Sequence, residues 1–361
     1  MDSYADIVRF LLSRRLVRPS AIVRGRFSLH DASRRNSNVR VTLTPGRGYF
    51  IKTGADQQRR RTLRNEARTY RFLRRALEPA QAQSLLVGLR TYDEDASVLV
   101  LDYVDGPTLH DLRRRSGRFQ LRRLARLGSD LGRLHRRLLG LGQFHEGCGV
   151  VAPFAFELEH PKRAFIDTCS AANHELIRIV QASPGIRAGL QVLTGSWPAS
   201  LAAAPCLIHG DIRFENVCVE TGKATLRIVD WELAARGDPL LDAGAVLAEL
   251  ISLWLMSVPL PTGAEPADCL PFASIPLADV QRAGRAFWKA YAAARRLTED
   301  DRETGLRVAM MHAAARLIQL AFEHLQGESR LTMHAVSHLQ LSENLFARPI
   351  DGAAHLLGIP E

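Results

Sequence analysis

Residues 207–232, LIHGDIRFENVCVETGKATLRIVDWE, carry the densest chemistry in this 361-residue chain. Asn216 follows Asp211 by five residues, and Asp230 follows Asn216 by fourteen. Between them, Val217 and Val219, a turn at Glu220-Thr221-Gly222-Lys223, and Leu226, Ile228 and Val229 alternate as a hairpin does. A hairpin folds Asp230 back beside Asn216. A hydroxyl attacking the terminal phosphate of a nucleotide needs a carboxylate to orient it and take its proton, and Mg²⁺ to neutralise phosphate oxygens. Mg²⁺ takes hard oxygen ligands. Asp211 fits the base, and Asn216 with Asp230 fits the metal pair.

Two ordered motifs extend this pattern: His209-Gly210-Asp211 with Asn216, then Ile228-Val229-Asp230-Trp231-Glu232 and Gly237-Asp238-Pro239 with Asp242. Together they resemble the aminoglycoside phosphotransferase and choline kinase superfamily, a small-molecule branch of the kinase-like fold. The resemblance implies an α+β, bilobal protein-kinase-like fold, with a small β-rich N-lobe over residues 1–101 and a larger, mostly helical C-lobe over 102–361. It also implies ATP or GTP as phosphate donor, Mg²⁺, and a small-molecule hydroxyl as acceptor. Asp211 would be the base, Asn216 and Asp230 the metal ligands, His209 a brace for the loop, and Asp242 the group that holds the loop backbone from the following helix.

Lysine is scarce, with Lys52, Lys162, Lys223 and Lys289 standing against 44 arginines. Lys52 closes residues 39–53, VRVTLTPGRGYFIKT, which read as strand, turn, strand. The family places its phosphate-gripping lysine on such a strand, where a compact ammonium suits phosphate contacts differently from a planar guanidinium. Glu66 lies fourteen residues on, in a helical segment over 55–77. In the kinase-like fold a helix glutamate pairs with that lysine; the alternative is local pairing with neighbouring arginines. Residues 97–111, SVLVLDYVDGPTLHD, resemble the hinge, in which Asp102, Tyr103 and Val104 offer backbone groups to the adenine edge. No glycine-rich phosphate loop is present, and residues 33–38, SRRNSN, are the candidate cover, through serine hydroxyls, amides and Arg34 or Arg35. Arg213 has two readings: a cation for the transferred phosphate, or a partner of Glu215 or Glu232.

The rest of the chain reads as mostly helical. Residues 121–141 carry leucines near 3.6-residue spacing, and 142–205 break into short helical pieces where the superfamily inserts substrate-binding helices. Beyond Asp238, periodic segments cover 278–297, 299–326 and 331–346.

Composition is that of an ordinary globular protein, 46% apolar and 24% charged. Five cysteines without a C-x-x-C pair fit a reducing, cytoplasmic setting. The longest apolar run, over 245–260, contains Glu249 and is too short for a bilayer span, so no membrane partner is expected. Net charge is +10, divided as +15 over residues 1–236 and −5 over 237–361. The arginines of 59–75 surround a helix with few aromatics among them, which argues against nucleic acid. Only six residues separate Asp230 from Gly237, and no Ser, Thr or Tyr occurs from 231 to 251, so a protein kinase's phosphorylated activation segment is missing. The competing reading is a nucleotide-binding pseudokinase or assembly protein of the same fold. Degenerate members lose the base, a metal ligand or the lysine, and this chain carries all of them.

Overall fold

A computed structural model of the chain describes residues 3–32, 38–44, 47–141, 143–203, 205–222, 225–261 and 266–360. The α+β expectation holds, with an antiparallel sheet in the N-terminal part and a larger helical C-terminal part. Two compact units form. One comprises Met1–Thr108, Phe144–Cys148 and Asn216–Ala234; the other comprises Leu109–Gln143, Gly149–Glu215 and Ala235–Glu361.

In the first unit, β1 (Phe27–Asp31), β2 (Asn38–Leu43), β3 (Arg47–Thr53), β4 (Leu89–Asp93) and β5 (Val98–Asp102) form a sheet in the order β1-β2-β3-β5-β4. All neighbouring pairs are antiparallel. The unbroken apolar run Val98-Leu99-Val100-Leu101 is buried on both faces, because β5 lies between β3 and β4 with helices on either side. On one face, Val98, Val100, Val39, Val41 and Ile51 pack with Ile7, Phe10 and Leu11 of the amphipathic helix Tyr4–Ser13. On the other, the helix Gln57–Ala76 lies against β3, β4 and β5. That helix starts where the Asp56 carboxylate accepts from the Arg59 amide at 2.8 Å, and it buries Leu63, Glu66, Ala67, Tyr70 and Leu73 along one stripe. The strands Val217–Val219 and Leu226–Ile228 pair as the expected hairpin, Val217 opposite Ile228.

The second unit is built around the helix Pro239–Leu255, buried on every side because its sequence is apolar on every side. The helices Glu299–His324 and Leu277–Arg295 pack on it, and Leu277–Arg295 also packs against Leu121–Leu138. Gly128 and Gly132, one turn apart, permit that last approach. A Cβ at either would come within 2.3 Å of Phe287 O or 2.6 Å of Tyr291 O. The short strand Cys206–Ile208, paired with Ala235–Gly237, leads into the loop that carries Asp211. Among the described residues, no helix is long and apolar enough to cross a membrane.

Candidate active site

Each unit holds some of the candidate residues. In the first, register places Lys52 on β3 opposite Leu99 of β5, and the residue is only 4% exposed. Glu66, on the facing helix, grips it with both oxygens, at 2.9 and 2.7 Å. Asp230 Oδ1 accepts from the same ammonium. Burial disfavours a charged lysine, but Glu66 and Asp230 outweigh it and raise the Lys52 pKa. Burial likewise pushes the Glu66 carboxyl up, to about 7, with Lys52 opposing. Glu232, two residues past Asp230, pairs with Arg59, so this resident has its own partner on the same helix as Glu66. Asn65 on that helix donates to the Glu232 and Ala234 carbonyls at 3.0 and 2.9 Å, pinning the segment after Asp230.

Asp230 sits with φ 66° and ψ 53°, a left-handed conformation uncommon for a residue other than glycine. The Val229 amide donates to Asn216 O at 2.9 Å, which sets Asn216 across the end of the hairpin from the residue before Asp230. Carboxylate oxygens of Glu66, Asp230 and Glu232 lie within 4.8 Å of one another. These carboxylates are hard oxygen donors, the kind Mg²⁺ takes.

At the hinge, the Asp102 amide donates to Gly88 O at 2.7 Å and the Tyr103 amide to Gly48 O at 3.0 Å, while the Asp102 carboxylate forks onto Arg90 at 2.5 and 2.9 Å. Val104 makes no backbone hydrogen bond among the described residues. A cavity of about 720 Å³ borders Tyr49, Asp102, Tyr103 and Val104, with Arg74 and Arg227 also in its wall. Lys52, Glu66 and Asp230 do not line it. Of the candidate phosphate cover, residues 33–37, including Arg34 and Arg35, lie outside the described residues.

In the second unit, Asp242 is fully buried on the helix Pro239–Leu255 and accepts from the His209 amide at 2.7 Å and the Gly210 amide at 2.9 Å. His135 Nε2 lies 3.2 Å from the same carboxylate, and its Nδ1 lies 3.0 Å from the Tyr291 hydroxyl. Burial opposes the Asp242 charge, but His135 and the His209 amide outweigh it and hold the carboxyl below its usual range. His209, fully buried, accepts the Asp211 amide on Nδ1 at 3.3 Å. Gly210 has φ 80°, which explains a glycine between the two: a side chain there would be strained.

Asp211 is thus presented by a loop tied down through its backbone, with its own side chain 21% exposed. Arg213 reaches its Oδ1 at 2.9 Å and reaches the Glu323 carboxylate at 3.2 Å. The pairing reading for Arg213 named Glu215 or Glu232; the partner is Glu323, because the helix Glu299–His324 passes beside the loop while Glu215 turns to His110 and Glu232 to Arg59. Burial would lower the Arg213 pKa, and Asp211 and Glu323 raise it instead.

Sequence reasoning missed Arg316 and Glu323. Arg316, 8% exposed, donates to Asp211 Oδ1 at 2.6 Å from 105 residues away. The available signal was an arginine inside AMMHAAARLIQLAF, a segment with no other charge. Glu249 was passed over as well. It is 8% exposed, and burial with Glu215 nearby pushes its carboxyl up to about 7.

Comparisons with known proteins bear on the fold and the family. Solved structures similar to the chain include choline kinase from Cryptosporidium parvum Iowa II (TM-score 0.59, 10% identity, 98% of each chain covered). Others are Plasmodium vivax ethanolamine kinase (0.54, 11% identity, 94% of this chain and 87% of that one) and a streptomycin–ATP ternary complex of APH(2")-IIa (0.52, 15% identity, 96% and 99%). At these identities the likeness establishes the kinase-like fold. No curated protein sequence matches. The profile of the phosphotransferase enzyme family, APH, matches residues 27–267, and the chain belongs to that family.

Proposed function

We propose that this protein is a kinase that moves the terminal phosphate of ATP to a hydroxyl of a small molecule, with Asp211 as the base. The observation that carries this reading is the buried Lys52, held between Glu66 and Asp230. A buried ammonium ringed by carboxylates is costly unless it is used or fully paired. This one belongs to a cluster of hard oxygens next to the Asn216 end of the hairpin.

In this reading Lys52 contacts the inner phosphates, and Glu66 keeps its side chain extended. Asn216 and Asp230 would hold Mg²⁺, whose charge offsets that of the phosphate oxygens. Val104 presents its free backbone groups to the adenine edge, beside Asp102 and Tyr103. Asp211 accepts the proton of the acceptor hydroxyl as its oxygen bonds to phosphorus and the bond from phosphorus to the nucleoside diphosphate breaks. Arg213 and Arg316 hold the Asp211 carboxylate in place through Oδ1. Asp242 and His209 fix the loop backbone, so the base is presented in a set orientation.

The experiment is an acceptor screen with Mg·ATP, read by mass spectrometry. A hydroxylated amine, sugar or antibiotic that gains about 80 Da, one phosphoryl unit, identifies the acceptor. ATP bound but never consumed, with any acceptor, sinks the kinase reading and leaves the pseudokinase.

A further inference from the structure

Three side chains from three separate elements of the second unit converge, and the proposed phosphotransfer uses none of them. They are His110 on the helix Leu109–Ser116, Glu215 in the turn Phe214–Asn216, and Glu249 on the helix Pro239–Leu255. One donor atom of each lies within 4.8 Å of the others. His110 Nδ1 is 3.0 Å from Glu215 Oε1, yet it is buried and makes no hydrogen bond there. Glu249 is more than nine-tenths buried, and no described group donates to its carboxylate. Arg213 and Arg316 act on Glu249 only through space, since their own hydrogen bonds go to Asp211 and Glu323.

A buried ring nitrogen without a partner is costly, and the Glu249 carboxylate beside it has no donor. One cation would satisfy both. We propose that His110, Glu215 and Glu249 bind a divalent cation of the Zn²⁺ class, with a donor set that includes neither Asn216 nor Asp230. An imidazole nitrogen with two carboxylates is a borderline donor set that suits Zn²⁺ better than Mg²⁺. Zinc with ligands at about 2.0–2.2 Å holds neighbouring donors roughly 3.4 Å apart, so the observed spacing closes on the ion with side-chain movements under about 1 Å. Glu215 is in the same loop as Asp211, so the ion would also brace that loop.

The test is zinc binding to the full chain without nucleotide, by calorimetry and by metal analysis after dialysis. Wild type should retain one zinc per chain. Asp230→Asn, which alters the other carboxylate cluster, should retain it too. Glu249→Gln, close to isosteric, and His110→Ala, at a half-buried site, should each weaken it at least ~100-fold, with circular dichroism confirming that both variants are folded. Retention by both folded variants, loss in Asp230→Asn, or no zinc bound by wild type would overturn the proposal. Displacement of the zinc by tetramethylammonium would overturn it in favour of an organic cation. Phosphotransfer is not measured at any step, so either claim can fail without the other.

Discussion

The two units hold their acids in opposite ways. In the first, Glu66 has no exposed surface, and its partner is the side chain of Lys52 at 2.7 Å. In the second, the fully buried Asp242 takes backbone amides, at 2.7 and 2.9 Å, and the partly exposed Asp211 is carried on the loop those amides belong to. Side-chain pairing fixes a buried charge. Backbone anchoring fixes a loop, and leaves a partly exposed carboxylate at its tip.

This contrast predicts that damage to the loop shows in turnover and damage to the cluster shows in binding. The largest effect is expected at the base: Asp211→Ala should lower kcat by roughly 10² to 10⁴, about 3–5 kcal/mol of barrier. Steady-state kinetics with an identified acceptor checks it, and an unchanged kcat would remove Asp211 from the mechanism. Next is the anchor. Asp242→Ala leaves two amides and His135 without a buried acceptor and should destabilise folding by about 3–5 kcal/mol, read by urea unfolding.

A smaller effect concerns acid. Burial depresses the His338 pKa to about 4, with the neighbouring His324 and His334 adding to it and the bond to the His334 carbonyl opposing. A depressed folded-state pKa means that the ring's neutrality costs nothing above about pH 6.5, its unfolded value. Stability is then lost as pH falls from 6.5 toward 4, by about 3 kcal/mol at most. Glu249, raised to about 7, acts in the opposite direction, so the comparison must be made against His338→Gln. The wild type should lose more stability than the variant between pH 7 and 4.5. In the first unit, Lys52→Met should raise the Mg·ATP dissociation constant by roughly 10- to 100-fold, the range for a hydrogen bond to a charged group, with little change in kcat at saturation.

Much of this arrangement is legible in the sequence, for a local reason. His209, Asp211, Asn216 and Asp230 fall within 22 residues, and turn chemistry and strand alternation are short-range signals. Lys52 stood out because only four lysines occur. Arg316 had no such contrast among 44 arginines, and its contact to Asp211 spans 105 residues. Helical periodicity reports which face of a helix is buried and says nothing about a polar partner on that face. Glu323 was hidden likewise, so Arg213 was assigned acidic neighbours that were nearer in the chain or nearer the hairpin. The hinge was read as backbone, and two of its amides turn out to be taken by Gly88 and Gly48. Backbone pairing of that kind leaves no trace in residue type.

The division of labour between the units is tested most directly by titrating Mg²⁺ and a non-hydrolysable ATP analogue into wild type, Asp211→Ala and Asp230→Ala, in a calorimeter. The account predicts that Asp211→Ala binds within about threefold of wild type and that Asp230→Ala binds at least ~10-fold more weakly. Wild-type affinity in Asp230→Ala, or a loss of binding in Asp211→Ala as large as that in Asp230→Ala, would contradict it.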